Sequence, residues 1–249
     1  MVAVLVVAGV VAVVAALVGG GRPRAIDQQA PGPVLLVPGY GGSTGSLTTL
    51  ASALRGKGKD VTIVPLPGDA TGDLNAQAQA LGRAADAVLR RTHARSVDVV
   101  GYSAGGVVAR LWVRDHGGGS VVRRVVTLGS PHHGTELAGL GSLVPGACPT
   151  ACRQLEPDSD LLAALNRGGA TGGPTFVSIW TTHDDVVIPP DSARLAGALN
   201  LVVQTVCAED QVTHGGLPRD RVVVEMVTAE LAAGQPVPLT ATDCPRLSS

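Results

Sequence analysis

Aromatic residues are nearly missing from this chain: one Phe, two Tyr and two Trp among 249 residues. Its core must therefore be aliphatic, built from Val, Ala and Leu. A charge excess of either sign is missing as well. The net charge is −1 and the basic residues are scattered, which excludes the basic face that nucleic-acid binders carry. Internal repeats and long low-complexity runs are absent from the body of the chain, and its length suits one domain with a sizeable core. Cysteine is sparse too, at four residues. Cys148 and Cys152 form a C-x3-C pair with no second clustered pair and no nearby His-x-His, a pattern that argues against zinc. An even count allows three disulfide pairings, and nearest-neighbour pairing, Cys148–Cys152 with Cys207–Cys244, is expected.

The opening stretch, "MVAVLVVAGVVAVVAALVGGG", lacks any charge. It is about the ~20 residues that a membrane-crossing helix needs, and it is apolar on every face. A signal peptide or membrane anchor over residues 1–30 is expected, although no basic residue precedes the apolar run. Either reading places the remaining domain, 31–249, outside the cytoplasm, and the even cysteine count agrees.

Beyond that leader, short aliphatic runs alternate with helical patterns. Strands are expected at 34–37, 61–64, 97–100, 125–128, 175–180 and 201–206. Each is a nearly continuous apolar run, as in strands buried on both faces of a parallel sheet. Helices are expected at 46–55, 73–92, 104–115, 192–198 and 219–233. Such alternation implies a doubly wound α/β fold of about six mostly parallel strands. The connection after the fourth strand is too long for a simple loop. Residues 134–173, including the helical "LLAALN", are expected to form a cap or cleft wall.

Chemistry in an open parallel sheet gathers at the carboxyl ends of its strands. There "VDVVGYSAGG" places Ser103 between Gly101 and Gly105, after a strand and before a helix. This G-x-S-x-G arrangement is the nucleophile elbow, and its turn aims the backbone N–H of Ala104 at a developing oxyanion. The pattern occurs a second time around Ser43, within residues 41–45, but there a flexible loop precedes it rather than a strand. A phosphate-binding turn would want a Lys-Ser/Thr pair or an acidic residue ending the next strand, and neither is present. Ser103 is the better nucleophile.

At these residues the chain resembles the α/β-hydrolase family and, more closely, small secreted bacterial lipases and esterases. "PVLLVPGYGGS", "VDVVGYSAGG", "VVTLGSPHHGT" and "SIWTTHDDVVIPP" carry the resemblance, with "VTHGGL" as a fifth stretch. The resemblance implies ester hydrolysis by a Ser-His-Asp triad, with no metal or cofactor. In that family the acid follows the serine and the histidine comes last. Of six histidines, only His214 lies downstream of the acid candidates Asp184 and Asp185. The relatives' S-I-aromatic-x-x-x-D spacing favours Asp184, whereas a proline four residues on favours Asp185. The resemblance assigns a second oxyanion donor to the Tyr40 N–H, although Pro38-Gly39 stands where many relatives have His-Gly. It makes His132 and His133 residues of the cleft wall or its surroundings. Expected partners are a lipid or small ester, with contact to a membrane or lipid interface as an option, and the chain is expected to act as a monomer. Two other functions use the same fold: acyl transfer to an alcohol, and a binding module without catalysis.

Overall fold

The computed structural model describes residues 26–143, 146–167 and 173–249. Six strands form one sheet: β1 (Val34–Val37), β2 (Val61–Ile63), β3 (Val97–Tyr102), β4 (Val122–Leu128), β5 (Thr175–Trp180) and β6 (Leu199–Val202). Their order is β2-β1-β3-β4-β5-β6 and every neighbouring pair is parallel. The apolar runs have the cause expected of them, since β1 and β4 are buried at every position. Alternate residues serve opposite faces. Val34 and Leu36 join the side covered by α1 (Thr48–Gly56) and α8 (Arg221–Glu230), whereas Leu35 and Val37 join the other. That second side is covered by α2 (Leu74–Thr92) and α3 (Ala104–Asp115), which contribute Leu81, Val108 and Trp112.

Between β4 and β5 run three short helices, α4 (Glu136–Ser142), α5 (Thr150–Gln154) and α6 (Asp160–Asn166). The Cys148–Cys152 disulfide ties the start of α5, and Cys207–Cys244 joins the chain after β6 to the last helix. These two bonds point to an extracellular protein. No helix among the described residues is long and apolar enough to cross a membrane. The expected leader or anchor lies almost wholly outside the described residues.

Two expected elements differ. The run 201–206 is a strand only to Val202; Val203–Val206 is one helical turn, α7. Its β-branched residues favour extension, but β6 is an edge strand and the chain must bend there towards Cys244. The expected helix at 192–198 is a 3-10 turn, Pro190–Ala193, followed by an irregular stretch. Gly197 has a positive φ, and the Asn200 side chain bonds the N–H and C=O of Leu195 and the C=O of Ala198, displacing helical bonds.

At the amino ends of β3 and β4 lies a fully buried ion pair, Arg123 on Asp98 at 2.7 Å. The Arg123 guanidinium also donates to the carbonyls of Gln28, Leu231 and Ala232. Arg124 donates to the Glu230 and Gly234 carbonyls and to the Gln28 side chain. Gln28 and the chain that follows α8 are thereby held to the edge of the sheet opposite Ser103.

Candidate active site

β3 ends at Tyr102, and Ser103 follows with φ +53 and ψ −128 before α3 begins. That backbone state is strained for a residue with a side chain. It persists because the glycines around it permit a close approach no other residue would allow. A Cβ on Gly101 would lie 2.5 Å from the Gly106 Cα, and one on Gly105 would lie 2.6 Å from the Pro38 carbonyl oxygen. The Ser103 N–H is fixed on the Leu128 carbonyl at 2.8 Å.

Asp184 follows β5 and His214 follows β6, so all three side chains meet at the carboxyl edge. His214 Nε2 lies 3.0 Å from Ser103 Oγ, and His214 Nδ1 lies 2.8 Å from Asp184 Oδ2. The Asp184 Oδ1 accepts the N–H groups of Val186 and Val187, at 3.0 and 2.7 Å. Asp184 and His214 are both buried, and a carboxylate so placed suits an Nδ1–H tautomer, with Nε2 turned to the serine hydroxyl. Asp185 points outward and is exposed. Among the described residues, neither the Tyr40 nor the Ala104 N–H meets a protein acceptor. The two loops that carry them touch: a Cβ on Gly39 would lie 2.9 Å from the Ser103 Cβ.

The sequence model of the palmitoyl protein thioesterase family matches residues 33–164, more than half of the chain. The chain belongs to that family. The match takes in Ser103 and stops short of Asp184 and His214. Among solved structures, Aspergillus fumigatus lipase B aligns with 87% of the chain, with a TM-score of 0.71 and 21% identity. The chain spans only 57% of that fungal protein. Mature Bacillus licheniformis lipase BlEst2 gives a TM-score of 0.68 and 18% identity over 85% of this chain and 96% of that one. The product of the Listeria innocua gene lin2722 gives 0.60 and 16% over 85% and 97%. These likenesses are of fold, and with the family match they make the chain an α/β-hydrolase.

A cleft of about 300 Å³ opens over Ser103. Its walls are nearly all apolar, with Leu137 and Ala138 from α4, Leu155 beyond α5, Val186 after β5 and the Tyr40 ring. Seven of its lining residues, from Thr135 to Leu155, belong to the chain between β4 and β5. His132 and His133, expected in the cleft wall or its surroundings, are not among the residues that line it. His132 is fully buried, between Thr127 Oγ1 at 3.1 Å from Nε2 and the Arg110 guanidinium at 3.5 Å from Nδ1. Burial, then the Arg110 charge, holds its imidazole well below the usual histidine range. Burial likewise lowers Arg110 to about 10. His133 is exposed and borders a separate, more polar depression with Glu136 and Asp191. Among the described residues, no group of three His, Cys, Asp or Glu side chains could hold a metal ion.

Four residues at the site had no assigned part in the sequence reading. Gly129, just after β4, has φ +52, and a Cβ there would lie 3.1 Å from both Asp184 Oδ2 and His214 Nδ1. Its signal was a glycine directly after a buried strand. Tyr102 occupies the first variable position of the elbow motif. Thr181 and Gln204 carried no signal, since their partners are distant in sequence.

Proposed function

We propose that the protein hydrolyses carboxylic ester bonds of lipid-like acyl substrates, with Ser103 as nucleophile, His214 as base and Asp184 as its orienting acid. The observation that carries this reading is the hydrogen-bonded run from Ser103 through His214 to Asp184 beneath an apolar cleft. As Ser103 Oγ bonds the substrate carbonyl carbon, its proton passes to His214 Nε2, and Asp184 stabilises the imidazolium. The oxyanion is received by the N–H groups of Ala104 and Tyr40, each worth about 3 kcal/mol in the transition state. The carbonyl carbon then releases the alkoxide, which takes the proton from Nε2 and leaves an acyl-Ser103. Water, giving its proton to His214, attacks the acyl-enzyme, and collapse returns that proton to Ser103 as the carboxylic acid departs. None of these steps calls for a metal or cofactor.

The acyl chain lies along Leu137, Leu155 and Val186, gaining about 0.8 kcal/mol per buried methylene. Around the mouth Tyr40, Leu137 and Val186 are exposed, and on α4 and just beyond it Leu140 and Leu143 stand 60% and 77% exposed. This rim suits contact with a lipid surface. In the same reading residues 1–30 form a leader or anchor and 134–173 a cap. The family match favours a second substrate class, acyl thioesters, which call for the same nucleophile and carry a better leaving group, a thiolate in place of an alkoxide. The test is a panel of p-nitrophenyl esters from short to long acyl chains, run beside an S-palmitoyl thioester, on the domain and on Ser103→Ala. Ser103→Ala is expected to lose a factor of ~10⁴ or more, and Ser43→Ala little. No turnover of either class by the parent removes the proposal and leaves a binding module.

A further inference from the structure

His214 is carried by an irregular stretch that leaves α7 and becomes regular only in the 3-10 turn His214–Gly216. Loops of this kind move readily, yet a general base must hold its place to within about 0.5 Å. Three alternate carbonyls of the stretch each meet a side chain from the end of a different strand. The Asp210 carbonyl accepts Gln204 Nε2 at 3.1 Å, from the turn after β6. The Val212 carbonyl accepts the Thr181 hydroxyl at 2.7 Å, from just beyond β5. The His214 carbonyl accepts the Tyr102 hydroxyl at 3.2 Å, from the last residue of β3.

The anchors are themselves fixed. Gln204 Nε2 also donates to Thr181 Oγ1 at 2.9 Å, and its Oε1 accepts the Thr182 N–H at 2.9 Å, so the amide has one orientation. Thr181 is fully buried. Tyr102 differs from the other two because it reaches the imidazole as well: its ring centroid lies 5.2 Å from that of His214, at an interplanar angle of 34°.

We propose that Tyr102, Thr181 and Gln204 are positioning residues that hold His214 in register between Ser103 and Asp184, with Tyr102 acting on the ring itself. This rests on the catalytic reading given above. Burial, then the Asp184 charge, pushes the Tyr102 hydroxyl up to about 12, so it stays a donor throughout the working range. Asp184, Asp185 and Arg219 are the charged groups around it. A tyrosine needed only for stability would leave the chemistry of the folded enzyme untouched. A positioning tyrosine, once removed, lets the loop relax and the 2.8 Å bond from Nδ1–H to Asp184 lengthen. The imidazolium of the transition state is then less stabilised, and the base accepts its proton at lower pH.

The experiment compares the parent domain with Tyr102→Phe and Thr181→Val, using a short-chain p-nitrophenyl ester well below each melting temperature. Tyr102→Phe is expected to lower kcat about tenfold, the worth of one hydrogen bond. KM is expected to stay within twofold, and the acid limb of the kcat/KM profile to move to lower pH. Thr181→Val is expected to act in the same direction, and the double variant to depart from the product of the single effects. If Tyr102→Phe folds poorly, the Thr181→Val profile decides alone. A parent that turns over while the variants keep its kcat and pH profile overturns the positioning proposal and leaves the triad reading intact. A parent that turns over no ester or thioester overturns both.

Discussion

Gly129→Ala places one methyl group against the hydrogen bond between Asp184 and His214. The backbone there sits at φ +52, a region that costs a residue with a Cβ about 1–2 kcal/mol. The new carbon would lie 2.6 Å from Leu217 Cδ1 and 3.1 Å from both Asp184 Oδ2 and His214 Nδ1. Leu217 is fully buried and gives way little. Asp184 is pinned through Oδ1 by two backbone N–H groups, so the imidazole takes up most of the displacement. Overpacking of this kind costs about 1–3 kcal/mol, making the total destabilisation about 2–5 kcal/mol. Displacing a reacting group by about an ångström costs on the order of 10²-fold in rate, and a shift of a few tenths costs less. Gly117→Ala is the matched control, since Gly117 also has a positive φ, +83, but nothing lies within 4 Å of its Cβ position. Thermal unfolding followed by circular dichroism, with kcat/KM on a short-chain ester, measures both terms. The control should lose about 1–2 kcal/mol, a few degrees in Tm, and no activity. Gly129→Ala should lose more stability and about tenfold to a hundredfold in kcat. If the two variants are equally stable and both keep activity within a few-fold, the space beside Gly129 has no part in holding the acid–base pair.

Asp184→Asn is expected to lower kcat by ~10³–10⁴ and Asp185→Asn by less than about tenfold, by analogy with the asparagine substitution in other triads; the reverse ranking moves the acid to Asp185. Glu230 is buried, and burial raises its carboxyl from 4.5 to about 7. Its contribution to stability is therefore full below about pH 4.5 and is lost as pH rises through about 7. Glu230→Gln should match the parent in urea unfolding near pH 4 and exceed it at pH 8, and a parallel offset at both values sinks the assignment. Replacing both Cys148 and Cys152 by Ser should change the ranking of acyl-chain lengths while costing about 2 kcal/mol. The same change at Cys207 and Cys244, 37 residues apart, should cost about 4 kcal/mol and leave the ranking alone.

The strands were the most legible part of the sequence, because burial on both faces leaves unbroken apolar runs. Val34–Val37 and Thr175–Trp180 have the bounds those runs imply. Legibility failed where a local preference met a distant constraint. Val203 and Val206 belong to β-favouring types, yet the bend towards Cys244 makes them helical. His132 and His133 looked alike in "SPHHG", but Thr127 and Arg110 draw one into the core and leave the other outside. At the site, Ser103 could be singled out because its strain demands glycine neighbours that show in a local motif. Between Asp184 and Asp185 two spacing arguments conflicted, and only the position of His214 separates the buried carboxylate from the exposed one. Thr181 and Gln204 work through space rather than along the chain, so no spacing could reveal them, whereas Gly129 showed only as a glycine directly after a buried strand.

The buried arginines at the amino edge of the sheet give the molecule a handle. Arg123 and Arg124 grip Gln28 there, while Ser103, Asp184 and His214 occupy the other end of strands up to about 20 Å long. Whatever is joined ahead of Ile26, be it a fusion partner, a resin or a surface, therefore grasps the molecule from behind and leaves its mouth free. The carboxyl terminus offers no such grip. Its final helix, Cys244–Ser248, is bonded to Cys207, at the root of the stretch that carries His214. Cargo attached after Ser249 would hang beside the very loop whose stillness the proposed chemistry requires.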